Sequence, residues 1–170
     1  ALAEKKAQSS GWAPATFITN TCASSLILGA AGAAADGIYT SNNLTDITDP
    51  ANAAAPSVKT YVDYMASIGK SDIASTASAG WSVAETTVAI IMQAQASPEG
   101  LTRASIINAA RNFTFTPSLA RDGVVFKSMG EEDPFLTESL QVLQYDADAK
   151  TFTSIGELIT GLIPRWRALS

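Results

Sequence analysis

Asp36 is the residue whose type and position most clearly indicate chemistry in this sequence. It directly precedes Gly37 and a strand-like segment, residues 38–41, while a second strand-like segment, residues 17–19, ends at the polar Asn20. Polar side chains at two neighbouring strand ends predict a common crevice for a small ligand. The negative charge of Asp36 predicts that this ligand carries a cation such as an amino group. The alternative is that Asp36 only caps a turn with Gly37.

Five further residues are candidates for the same ligand site, and each has a structural alternative. Gly37 allows close approach of another group, or it is a simple turn glycine. Asn20 and Thr21 offer polar groups to a ligand where a strand ends and a helix begins, or they only cap that helix. Tyr39 lines the cleft or faces the core, because it alternates with its neighbour. Trp81 stacks on a ligand or packs in the core.

Composition and charge exclude several classes of function. Apolar residues make up 46% of the 170 residues and charged residues 16%, which predicts a folded chain with a sizeable core. The net charge of −5 argues against nucleic acid as a partner and against an anionic membrane surface. No apolar run reaches the roughly 18 residues of a spanning helix. Because the sequence opens at Ala1, within a helix-like pattern, we expect that its start belongs to something longer.

The residue inventory predicts neither an enzyme nor a metal or cofactor site. There is no histidine, and the acidic stretch 131–133 is typical of a solvated loop. Catalytic use of Ser24, Ser25, Asp36 and Glu85 is supported by no motif of a hydrolase or phosphate-binding enzyme. Cys22 is the single cysteine, so it is either a buried free thiol or has a partner outside this sequence.

The order of the predicted elements is that of an α/β protein with a parallel sheet. The patterns predict helices over residues 2–10, 23–34, 58–68, 79–96 and 102–111, with strands at 15–19, 37–41 and 123–126. The helix at 79–96 is apolar on most sides and is expected to be largely buried, and Ile106, Ile107 and Ala110 are expected to face inward. The strand at 140–145 and its return at 151–155 predict an antiparallel hairpin, followed by a short helix or tail at 158–166.

These features occur in the order of a known family. The matching segments are Ser10-Gly11 at a helix end, the strand around Phe17, Ala35-Asp36-Gly37-Ile38-Tyr39, Asp49-Pro50, the helix 58–68, Gly80-Trp81-Ser82-Val83, Gly100-Leu101-Thr102-Arg103-Ala104-Ser105-Ile106, Asp122-Gly123-Val124-Val125-Phe126 and the hairpin from Tyr145-Asp146 to Phe152. The chain resembles the C-terminal half of a type I periplasmic solute-binding protein, of the branched-chain amino acid (Leu/Ile/Val-binding-protein-like) receptor group of ABC transporters.

The resemblance implies a two-lobed α/β fold with parallel sheets flanked by helices and an antiparallel closing hairpin. Residues 1–56 would belong to lobe two, 57–118 to helices that return to lobe one, and 119–170 to the hinge, closing strands and tail. An acidic residue of the family that binds a ligand ammonium corresponds to Asp36, although the family more often has Glu there.

The resemblance also implies an extracytoplasmic receptor, in the periplasm or anchored at or secreted to the cell surface. It would bind a small amino acid or similar solute, without catalysis or a cofactor, and deliver it to an ABC permease. The missing N-terminal half of the same protein, present as a separate chain or lost by proteolysis, would be a further partner. A sensory domain of the same fold or a hydrolase-type enzyme is the alternative.

Overall fold

The computed structural model describes residues 2–131 and 133–161. Its helices are α1 (Leu2–Ser9), α2 (Ser25–Gly29), α3 (Pro56–Ser67), α4 (Ala74–Gln95) and α5 (Arg103–Arg111), and its strands are β1 (Tyr39–Asn42), β2 (Asn112–Phe115), β3 (Phe126–Met129), β4 (Leu140–Asp146) and β5 (Thr151–Ile159). Short 3₁₀ turns lie at Asn20–Cys22, Gly32–Ala35, Pro50–Asn52 and Ser71–Ile73.

Two separate hydrophobic cores divide the chain into two units. The first core joins Leu28, Ala31, Ala35 and Ile38 to Tyr145 of β4, and we name α1, α2, β1, β4 and β5 the sheet unit. The second core is formed by Val58, Tyr61, Met65, Ala74 and Leu119, and we name α3–α5 with β2 and β3 the helical unit. The chain crosses from one unit to the other through residues 43–55, the crossover segment.

The expected parallel sheet is wrong in its main feature, because the sheets of the described residues are antiparallel. Strand β4 lies between β1 and β5, antiparallel to both, and β2 pairs with β3 in the same way. The parallel contact that does form is an isolated bridge between Phe17 and Tyr39. The described backbone hydrogen bonds of residues 15–19 to β1 run from the N–H of Ile18 to Tyr39 and from the N–H of Tyr39 to Thr16, and Thr19 already caps the next turn.

The continuous helix expected at 23–34 is also wrong, because the chain forms the short helix α2 and a 3₁₀ turn at Gly32–Ala35 instead. Thr19 caps the 3₁₀ turn at Asn20–Cys22 and Ser24 caps α2, so the expected caps at Asn20 and Thr21 lie one residue or more from the observed ones. Gly32 then adopts a left-handed conformation with φ of +61°, which ends the α-helical path.

Helix α3 confirms its prediction, with Pro56 in its first turn and Val58, Tyr61 and Met65 buried. Helix α5 also confirms its prediction, because Thr102 and Ser105 form a reciprocal capping box. The prediction of its inward face is partly wrong, since Ile107 is exposed.

Helix α4 contradicts the expectation that it is largely buried. Val83 is 63% exposed and Met92 is 64% exposed, whereas the buried side consists of small residues such as Ser82, Thr86 and Ala94. Small side chains let α4 lie close to its neighbours, so its larger apolar side chains are directed outward. The result is an exposed apolar face on α4, formed by Val88, Ile91 and Met92.

The C-terminal hairpin confirms its prediction, with β4 and β5 in antiparallel register from Leu140 opposite Ile159 to Asp146 opposite Thr151.

The strand expected at 123–126 begins three residues later, because Gly123 has a φ of +82° and lies in a turn. Strand β2 was not predicted. The tail expected at 158–166 is strand as far as Ile159, and residues 162–170 lie outside the described residues. Cys22 is exposed, so the expected buried thiol is wrong.

Two buried carboxylates fix the crossover segment to the sheet unit. Asp46 accepts hydrogen bonds from the N–H of Ser25 at 2.7 Å and from the N–H and hydroxyl of Thr48 at 2.8 and 2.7 Å. Asp49 accepts from the N–H of Phe152 in β5 at 3.0 Å and from the N–H of Ala51 at 2.8 Å. These donors satisfy the carboxylates, which is the condition under which burial of a charge is tolerated.

We expect Asp46→Ala to lower the free energy of unfolding of the intact protein by about 2–4 kcal/mol, because Ser25 and Thr48 lose their acceptor inside the protein. Asp63→Ala, on the exposed side of α3, is the matched control and should change stability by less than about 0.5 kcal/mol. Urea denaturation followed by circular dichroism measures both. Equal stability of the Asp46 variant and the parent would contradict the assigned role.

The buried Tyr145 predicts a loss of stability at alkaline pH. Burial raises the pKa of its phenol, and the nearby carboxylates of Asp46, Asp49 and Asp146 raise it further. Above a pH of about 10 the phenol of the unfolded chain loses its proton while that of the folded chain keeps it. The unfolded state then binds fewer protons, so stability falls as pH rises.

We therefore expect Tyr145→Phe to make this fall shallower as the pH rises above about 10, measured by urea denaturation at each pH. Tyr64→Phe is the matched control, because that ring is 48% exposed. The same slope in Tyr145→Phe as in the parent would show that this phenol does not contribute.

Candidate functional site

Asp36 lies three residues before β1 and lines a cavity of about 210 Å³ between α1, residues 12–16 and residues 33–38. Gly37, Trp12 and Thr16 are among the residues that line this cavity. The Asp36 side chain is exposed, and its Oδ1 accepts a hydrogen bond from the N–H of Ala147 at 3.1 Å. The carboxylate therefore links the entrance of β1 to the turn between β4 and β5. Its contact with a ligand ammonium stays a prediction.

Gly37 has a clear structural reason to be glycine. Its φ is +73°, a conformation that side chains with a Cβ rarely adopt. Its N–H donates to the carbonyl of Tyr145 at 2.9 Å, and its own carbonyl accepts from Nε2 of Gln144 at 3.3 Å. Both contacts are with β4, so the turn-glycine alternative explains this position without a ligand.

Asn20 and Thr21 lie at the other end of the strand pair, and this corrects the expectation of a common crevice. Phe17 pairs in parallel with Tyr39, so Asn20 lies three residues beyond the bridge and Asp36 three residues before it. At about 3.3 Å per residue, the two positions are on the order of 15–20 Å apart along the strands. Parallel strands bring their like ends together, whereas Asp36 is at the beginning of one strand and Asn20 at the end of the other.

Trp81 lies in the helical unit, remote from the start of β1. Its ring packs against Tyr61 and Tyr64 with centroid separations of 5.3 and 5.2 Å, and its Nε1 donates to the hydroxyl of Ser118 at 3.0 Å. Tyr39 is half-buried in β1. The structure thus brings Asp36 and Gly37 together. Asn20 and Thr21 lie at a second place, and Trp81 lies at a third.

A larger polar cavity lies where the sheet unit, the crossover segment and the helical unit meet, and sequence reasoning did not identify it. Its volume is about 420 Å³. Arg121 is the cationic residue of its lining, and hydroxyl and amide side chains form most of the rest: Thr45, Asn52, Ser57, Ser118, Gln141 and Ser154. The signal in the sequence was the basic residue in Arg121-Asp122-Gly123, directly before a turn glycine.

The backbone on both sides of this cavity is firmly joined. Leu44 and Ala120 form an antiparallel bridge, the N–H of Thr45 donates to Leu119 at 2.8 Å and the N–H of Arg121 donates to Asn43 at 3.0 Å. Gln141 closes the sheet side, where its Nε2 donates to the carbonyls of Val142 and Ile155. The lining therefore belongs to ordered backbone from three parts of the chain.

The Arg121 guanidinium is partly buried and has little direct pairing. Burial lowers its pKa, and the carboxylates of Asp49, Asp122 and Asp46 act in the opposite direction. Its described side-chain hydrogen bond is long, 3.5 Å from Nη2 to the hydroxyl of Ser154. Among residues 2–131 and 133–161, no carboxylate forms a salt bridge with it. A guanidinium has five N–H donors, so most of its capacity is open to a ligand.

Of the residues considered for catalysis, Ser24, Asp36 and Glu85 have structural partners, whereas the Ser25 hydroxyl is buried without a hydrogen-bond partner among the described residues. Ser24 caps α2 through a hydrogen bond from the N–H of Ile27, and Glu85 accepts from the N–H of Ser118 at 2.9 Å. In the part of the chain that the structure describes, no group of three or more histidine, cysteine, aspartate or glutamate residues is placed to hold a metal ion. Likewise, none of the described helices combines the length and the apolar character that crossing a membrane requires.

Comparison with known proteins identifies a shared fold. No family model matches the chain, and no curated protein matches it. A solved structure does: a branched-chain amino acid ABC transporter protein from Thermus thermophilus with bound valine, at a TM-score of 0.69 and 17% identity. The likeness covers 94% of this chain and 42% of that structure, so the chain spans less than half of its length. At this identity the likeness shows a shared fold alone, and that fold resembles part of a type I periplasmic binding protein.

Proposed function

We propose that this chain is part of an extracytoplasmic solute-binding protein that serves an ABC transporter. It would bind a small amino acid or a related organic solute and present it to a permease. The observation that carries the proposal is the fold likeness over 94% of the chain to a transporter protein with bound valine. The negative net charge, −5, agrees with a small-molecule ligand rather than a nucleic acid.

The two-unit organisation supports a mechanism of closure around the ligand. Separate cores let the sheet unit and the helical unit each move as a packed body. A ligand that contacts both units favours the closed arrangement by its differential affinity for it.

Exposed apolar surface supports a further part of the proposal, namely that a separate segment packs on this chain. The face of α4 formed by Val88, Ile91 and Met92 is exposed, and Phe17 is 62% exposed at the edge of the sheet. Contiguous apolar surface and an open sheet edge are typical of surfaces that another part of a protein covers. The counterpart would be the remaining 58% of the transporter protein's length, which the likeness leaves uncovered.

The face of α4 provides a test of that packing. In the intact protein, Met92→Glu should lower the melting temperature by several degrees, because it would bury a charge without a partner. In the isolated 170-residue chain the same change should have little effect, since Met92 is 64% exposed there. Thr60→Glu, on the exposed side of α3, is the control in both the intact protein and the isolated chain. Equal melting temperatures of parent and Met92→Glu in the intact protein would rule out a packed face.

Isothermal titration calorimetry of the intact protein tests the binding function. Titration with amino acids, amides and aromatic acids should identify one class that binds saturably at one site. X-ray scattering in solution should then show a smaller radius of gyration with that solute, as closure requires. Nucleoside phosphates are the control panel and should give no saturable heat, because the protein is acidic. Absence of binding across the whole solute panel would refute the function.

A further inference from the structure

We propose that the polar cavity beside Arg121 is the place on this chain that receives the carboxylate of a small α-amino or α-hydroxy acid. The inference deepens the proposed function and rests on it, because it names the ligand chemistry and the residue that recognises it. It concerns a different place from Asp36, which lies beside the smaller cavity at the opposite end of β1.

The position of the cavity is the first argument. Its walls come from the sheet unit through Gln141 and Ser154, from the crossover segment through Thr45, and from the helical unit through Ser57 and Ser118. Ligand sites occur preferentially where two units meet, and closure of such units changes the shape of the site between them. The volume of about 420 Å³ lies within the usual range for small-molecule sites, about 300–1,000 Å³.

The open hydrogen-bonding capacity of Arg121 is the second argument. Its guanidinium contributes to the lining and makes one long described side-chain contact, 3.5 Å to Ser154. A carboxylate matches two of its N–H groups at once and forms charge-assisted hydrogen bonds. Hydroxyl groups of Ser118 and Ser57 at the same cavity provide further donors. This is the arrangement expected for a planar anion of single charge.

The surrounding negative charge selects the class of anion. Asp122 also lines the cavity, and Asp46 and Asp49 are close enough to influence Arg121. A dianion such as phosphate would be repelled by these carboxylates, whereas a monocarboxylate with a neighbouring ammonium or hydroxyl donor would complement them. The donor would be directed toward Asp122 while the carboxylate pairs with Arg121.

The beginning of α3 adds a favourable contribution without being needed for the inference. Ala55 at its N-cap offers no side-chain hydrogen bond, and Pro56 follows directly. The free N–H groups of the first turn, at Ser57 and beyond, carry the positive end of the helix dipole near the cavity. A ligand carboxylate would supply the acceptor that the N-cap lacks.

The test uses the intact protein and the best-binding acid from the titration panel, together with the primary amide of that acid. Arg121→Gln should weaken binding of the acid at least about tenfold and change binding of the amide much less, because the amide lacks the negative charge. Arg121→Lys should give an intermediate loss, since lysine keeps the charge but cannot pair bidentately. Arg103→Gln, at the start of α5 and outside the cavity lining, is the matched control. Circular dichroism and melting temperature confirm the folding of each variant.

The outcomes separate this inference from the proposed function. The inference is supported if Arg121→Gln selectively loses binding of the acid while Asp36→Ala binds the acid as the parent does. It is overturned, while the binding function stands, if Arg121→Gln binds the acid unchanged or if only Asp36→Ala loses binding of the acid. A protein that binds only solutes without a carboxylate overturns it in the same way. If no solute binds, both fail. If Arg121→Gln does not fold, Arg121→Lys decides by the same comparison of acid with amide.

Discussion

Buried carboxylates in the crossover segment are the interaction on which the rest of this structure depends. Asp46, 9% exposed, holds the N-terminus of α2, and Asp49 holds the first residues of β5. Both bonds run from a segment without a long helix or strand to the packed sheet unit. The crossover segment would otherwise present many unpaired polar groups, and these carboxylates turn it into fixed backbone. Helix α3 begins at Pro56, directly after this anchored segment.

The same carboxylates explain how a partly buried arginine is tolerated at the junction. Asp49, Asp122 and Asp46 favour the charged form of Arg121 without a described salt bridge to it, so the cation is stabilised at a distance and its N–H groups stay available. A directly paired arginine would have little capacity left for a ligand. The geometry thus combines a cation that is stable enough to be partly buried with a donor set that a carboxylate can use.

Local patterns predicted those elements whose stability is local. Helix α3, the helix that begins after Thr102 and the hairpin of β4 and β5 are confirmed, because their caps, periodicity and turn residues are short-range signals. The burial of α4 was not predictable, since an apolar residue such as Val88 looks the same whether its partner belongs to the described chain or to another segment. The strand around Phe17 is reduced to a bridge for a similar reason: its length depends on neighbours that the pattern does not contain.

The candidate site shows the same limit more sharply. Asp36 and Gly37 are adjacent in sequence, so their proximity was predictable. Whether Asn20 lies beside them depends on whether the segment at Phe17 pairs with β1 in parallel or antiparallel. Arg121 and Gln141 reach one cavity only through the bridge between Leu44 and Ala120 and through the register of β4. Such contacts join residues far apart in the chain, and no local spacing encodes them.

A crystal structure of the intact protein with its bound solute tests the central claim most directly. The account predicts that the solute carboxylate lies within hydrogen-bond distance of the Arg121 guanidinium, between the sheet unit and the helical unit. Electron density for the solute at another place, with the Arg121 cavity holding water alone, would contradict it.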